Sequence, residues 1–185
     1  MAKRKKAVSS TPLLDSLSVD QARFVLARLI SNDPALAARA EGFARDLLQI
    51  VDSEEIAGIV SDELSSLEIE EVWKTSGRRR DGYIDPSERA WEMLDEVLES
   101  HKDEMMTYLR RGMVEESRLY CSGILLGIRR FQKGSGSALL DEAPDYCNDT
   151  FCSVREEWEK AVGDAGQARL LARFIEEKGF SRTPA

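Results

Sequence analysis

"MVEESRLYCSGILLGIRRFQ", residues 113–132, is the stretch on which the fold turns. Ser117, Tyr120, Cys121, Ile124, Leu125, Ile128 and Phe131 recur at the spacing of one α-helical face. Its charge-free middle, "LYCSGILLGI", is about half as long as a membrane span requires. Gly123 and Gly127 stand four positions apart on one side of this helix, and each costs a helix interior about 1 kcal/mol against alanine. The compensation expected is close approach by the backbone of another helix. A ligand seated in the same gap is the alternative reading.

Working outward, helix follows helix. Downstream, "KGSGS" is a break without the strand or the lysine of a phosphate-binding loop. Helices from about Pro144 to Val162 and from about Ala165 to Lys178 follow, each closed by a glycine. Upstream, "DPSE" supplies Asp85 as cap, Pro86 at the first helical position and Glu88 as the far side of a capping box. The helix it opens carries Ala90, Leu94, Val97, Leu98, His101, Met105, Tyr108 and Leu109 on one face. Further upstream, Ser18, Asp33 and "DSEE" at 52–55 start helices whose stripes (Ala22, Val25, Leu26, Leu29 and Ile30, for example) are expected to face inward. Nothing alternates with period two for long enough to predict a strand. The fold class is all-α, with about seven or eight helices joined by short turns that make neighbours antiparallel. Stacked pairs give an α–α superhelix; a compact irregular bundle is the alternative. Residues 1–16 are expected to be a flexible basic arm and 17–185 a single helical domain, with 17–75 and 85–185 as sub-halves in a variant of that division.

The chain's 185 residues carry a formal charge of -8. Lys3, Arg4, Lys5 and Lys6 contribute +4, leaving -12 for everything after them. A body so acidic repels a phosphate backbone, although the arm attracts one. Cys121, Cys147 and Cys152 form no disulfide framework, and the apolar run of a secretory signal does not follow the basic start. A cytoplasmic protein with reduced thiols and no membrane partner is expected.

Candidate chemistry is sparse. Cys147 and Cys152 are five apart, which on a helix points them about 140° from each other, so no metal and no other cofactor is expected. One histidine excludes a paired Glu-x-x-His di-iron pattern. His101 lies on an apolar stripe, where a half-buried histidine at a helix contact is preferred over a general base. "TSGRRRDGYIDPSERAW", residues 75–91, is the one stretch unlike a helix. Arg78, Arg79 and Arg80 present planar donor forks suited to anions, and Trp73, Tyr83 and Trp91 are the aromatic types that gather at interaction sites. A structured corner, with the arginines paired to neighbouring acids, is the preferred reading of this loop, and an anion- or partner-binding site the alternative.

"LLDSLSVDQARFVLARLISNDPALAAR" resembles the helical segments that accompany SWIM-type zinc fingers in bacterial and archaeal proteins. The finger's C-x-C and C-x-H pairs are absent, so metal binding does not carry over. "SGRRRDGYIDPSERAWEMLDEVLE" and "RRGMVEESRLYCSGILLGIRRF" are similar to prokaryotic helical proteins akin to tetratricopeptide and HEAT arrays. The resemblance implies a scaffold and brings no activity with it. The expectation is therefore a non-enzymatic scaffold binding another protein. Alternatives are an accessory nucleic-acid binder using the arm and the Arg loop, and an enzyme of unrecognised type.

Overall fold

The computed structural model describes residues 12–48, 50–79, 82–134 and 138–180. Helix dominates, in the order α1 (Pro12–Asp15), α2 (Val19–Ser31), α3 (Pro34–Leu48), α4 (Ser53–Ser65), α5 (Ile69–Thr75), α6 (Pro86–Arg110), α7 (Val114–Gly134), α8 (Ala138–Glu142), α9 (Tyr146–Val162) and α10 (Ala165–Glu177). Between α5 and α6 lies a two-stranded antiparallel hairpin, β1 (Gly77–Arg79) and β2 (Gly82–Ile84), with Arg78 opposite Tyr83. That hairpin corrects the expectation of no strands. Three residues a side is too short for alternation to register.

The chain forms two compact units, the first holding α1–α3 and the second α4–α10. In the first, Ser18 and Gln21 cap α2 reciprocally, each side chain receiving the other's backbone amide, at 3.3 and 2.9 Å. The Asp33 carboxylate receives the amides of Ala35 and Leu36, both at 3.0 Å, and Pro34 begins α3. Local signals thus start both helices where the sequence places them. The inward stripes do not follow: no residue of α2 or α3 is buried. A helix pair has too little surface to enclose an interior.

The second unit is built around α7. Every residue from Tyr120 to Arg129 is buried, because α4, α6, α9 and α10 all contact this helix. Its glycines fix the tightest of these contacts. A Cβ added at Gly123 would stand 2.6 Å from Ile56 Cβ, and one at Gly127 would stand 2.7 Å from Val60 Cβ. The close-approach reading of "GILLG" is therefore correct, and α4 fills the gap.

Buried polar groups tie the other helices together. Trp158 Nε1 on α9 donates to Ser117 Oγ on α7 at 2.9 Å, and that hydroxyl donates to the Met105 carbonyl of α6 at 2.8 Å. Among the described residues no buried side-chain nitrogen or oxygen lacks a partner, as a well-formed interior requires. Glu54 on α4 pairs with Arg130 on α7 and with Lys178, which caps α10 and lies 2.6 Å away. No helix among the described residues is long and apolar enough to cross a membrane.

Candidate functional site

The residues singled out by sequence do not converge. Arg78 and Tyr83 face each other across the hairpin and both are exposed. Trp73 on α5 is also exposed. Arg78 forms no ion pair with a described residue, so the absorption by acids expected of a corner is not seen there. Arg80 and the arm residues Lys3, Arg4, Lys5 and Lys6 lie outside the described residues, as does the side chain of Arg79. Thr75, next to the loop, is taken by Arg89, whose Nε donates to its hydroxyl at 3.0 Å.

Trp91 leads elsewhere. Its ring meets Tyr146 of α9 edge-on, with centroids 4.9 Å apart. The Tyr146 hydroxyl donates to Asp95 Oδ1 at 3.0 Å. Burial, followed by the nearby Asp95 charge, pushes this phenol well above its ordinary value. Trp91 borders a groove between α6 and α9, and Tyr146 is buried behind it. The middle of the groove is a depression of about 180 Å³ bounded by Trp91, Asp95, Lys102, Asp149, Thr150, Ser153 and Val154. Asp95 also borders a hollow of about 310 Å³ with Glu92, Glu96 and Glu99 of α6. Asp149 and Ser153 border another, about 570 Å³, with Cys152, Glu156, Glu157 and Lys160 of α9.

These three hollows share residues and form one continuous surface. Seven carboxylates line it against two lysines. Part of that charge is already answered. Arg89 reaches Glu92 at 2.9 Å and Glu96 at 3.4 Å, and Lys102 reaches Glu99 at 2.9 Å. Burial lowers the Lys102 ammonium, but the Glu99 carboxylate outweighs it and leaves the group above its ordinary value. Asp149, Glu156 and Glu157 form no ion pair with a described residue. No group of three metal-ligating side chains suited to an ion occurs among the described residues. What the groove can do is attract cations and seat an apolar stem against Trp91 and Val154.

The acids belong to two helix faces, one on α6 and one on α9, that adjoin only in the folded chain. Acidic runs such as "LDEVLE" and "REEWE" are common to many amphipathic helices, and the pairing of α6 with α9 is a tertiary event. Cys152 is exposed, while Cys121 and Cys147 are buried.

His101 is the other cluster. It is buried, with Nε2 2.7 Å from Glu63 Oε2 on α4 and Nδ1 3.1 Å from the Tyr120 hydroxyl on α7. A neutral imidazole protonated on Nε2 satisfies both contacts, donating to Glu63 and accepting from Tyr120. Carboxylate, imidazole and phenol in line resemble an oriented base. The phenol is spent on the imidazole, however, and none of the three hollows reaches it. The cluster joins three helices, which agrees with the histidine expected at a helix contact. In comparisons with known proteins, no family model, curated protein or solved structure matches this chain.

Proposed function

We propose that the protein is a non-enzymatic helical scaffold that docks a lysine- and arginine-rich segment of another protein along the α6–α9 groove. The observation that carries this reading is the convergence of seven carboxylates around Trp91, with only two lysines among them. Cationic side chains of a partner gain long-range attraction from the acids, and their aliphatic stems gain burial against Trp91. The packing of α4, α6, α9 and α10 around α7 favours the compact-bundle form of such a scaffold over a regular superhelix of stacked pairs.

A labelled lysine- and arginine-rich peptide, titrated into the full chain and followed by anisotropy, tests the reading. Binding should weaken as salt rises, and the double change Glu156→Lys and Glu157→Lys should reduce affinity at least ~10-fold, one such factor being ~1.4 kcal/mol. Both sites are exposed, so the fold should survive the change. Absence of binding at low salt, or indifference to the charge reversal, rejects the proposal. The nucleic-acid reading keeps exposed Arg78 and Tyr83 in its favour. It predicts a gel shift that is lost when residues 1–12 are removed.

A further inference from the structure

We infer that the α2–α3 hairpin is a self-association module, in which a second copy of this chain covers an apolar face that the hairpin cannot bury alone. The face is made by Val19, Leu26 and Leu29 of α2 with Phe43 and Leu47 of α3, each between 51% and 74% exposed. On α2, Leu26 and Leu29 lie on the arc between the half-buried Val25 and Ile30. On α3, Phe43 and Leu47 are one turn apart. The two helices have 13 and 15 residues and no buried residue between them. Helices of that length are marginal in water without a tertiary contact on the apolar side.

Area and charge identify the occupant. At the ~150–250 Å² that a large side chain contributes, the five residues leave roughly 500 Å² of apolar side chain open. Two copies covering each other would bury roughly 1,000 Å² in total, the lower bound of a specific interface. Of the thirteen exposed large apolar side chains among the described residues, eight fall between Leu13 and Leu47. The other five are scattered over separate elements, so the chemistry that matches the stripe is a second stripe.

Charge selects the same surface. Residues 12–48 carry four arginines and five carboxylates, a net of -1, whereas residues 50–185 carry -11. Copies that met through the acidic second unit would repel, and copies that met through the hairpin would not. A two-fold arrangement lets the stripe of one copy cover that of the other, as isologous contacts do. This inference uses none of the groove residues, so it and the proposed function stand or fall separately.

The test is sedimentation equilibrium of the full chain over a range of about 1–100 μM, the span in which interfaces of this class populate both states. The upper end should give twice the 20.8 kDa chain mass. The double change Leu26→Glu and Phe43→Glu should give the chain mass throughout while retaining peptide binding in the groove. Phe24→Glu, about 160° around α2 from Leu26, should remain dimeric. Should the double variant fold poorly, the wild type still decides: its helical ellipticity should fall on dilution as the hairpins separate. A wild type that is monomeric at every concentration overturns the inference, and so does a double variant that stays dimeric.

Discussion

Gly127→Ala puts the packing of α7 on α4 to a direct test. The new methyl carbon would stand 2.7 Å from both Cβ and Cγ1 of Val60, and 3.1 Å from the carbonyl oxygen of Ala57. Val60 is completely buried, and its Cβ is bonded to the α4 backbone, so rotation of the side chain gives no relief. The helices must separate. Overpacking of this kind costs about 1–3 kcal/mol, and with contact to backbone-borne atoms the upper end applies. Alanine returns about 1 kcal/mol through helix propensity. The net loss is therefore about 2 kcal/mol, a fall in Tm of roughly 4–8 °C for a chain of this size. Gly58→Ala is the internal control. It is also in a helix interior, nothing lies within 4 Å of the added carbon, and it should gain up to about 1 kcal/mol. Urea unfolding followed by ellipticity measures both. Trimming the opposing side chain with Val60→Ala should make Gly127→Ala less costly than it is alone. Equal effects of Gly58→Ala and Gly127→Ala would refute the close crossing.

Other outcomes follow from the same interior. Tyr120→Phe strands His101 Nδ1 in a buried position and should cost about 1–3 kcal/mol in urea unfolding. With a thiol reagent at neutral pH, Cys152 should react promptly, and Cys121 and Cys147 only once urea unfolds the chain, since both are buried. Burial raises the Tyr120 phenol to about 12 and the Cys147 thiol to about 11. Raised folded values mean that their stabilisation is complete below the ordinary values of about 9–10. It disappears as pH climbs through 11 and 12. The urea midpoint should thus fall between pH 9 and 11, and an unchanged midpoint would contradict the burial of both groups. Glu54 works in the opposite direction. Its hydrogen bond to Lys178, together with the pairing to Arg130, holds its carboxyl below the ordinary value. The stabilisation is present above the usual carboxylate range and is lost on acidification. Because the pair is half exposed, Glu54→Gln should cost no more than about 1 kcal/mol at neutral pH.

Legibility in the sequence followed the range of the interactions. Caps at Ser18, Asp33, Asp52 and Asp85 are local, and each starts its helix where the residue types place it. The paired glycines of α7 announced a close contact, although only the fold supplies Ile56 and Val60 as the other side of it. The hairpin was missed because its strands are three residues long. Periodicity also misled in α2 and α3: it shows which face is apolar, not whether anything covers that face. The groove depends on α6 and α9 meeting across about fifty residues of sequence, beyond the reach of any spacing rule. Trp91 was chosen as a partner of the Arg loop and instead lines the acidic groove.

The proposed recognition of cationic segments by the α6–α9 surface is open to amide chemical shifts of the isotopically labelled full chain. Titration with an unlabelled lysine- and arginine-rich peptide should move resonances from Glu92 to Lys102 and from Asp149 to Lys160, and the changes should collapse as salt is added. Shifts confined to the β1–β2 hairpin, or an equal response to an acidic peptide, would contradict it.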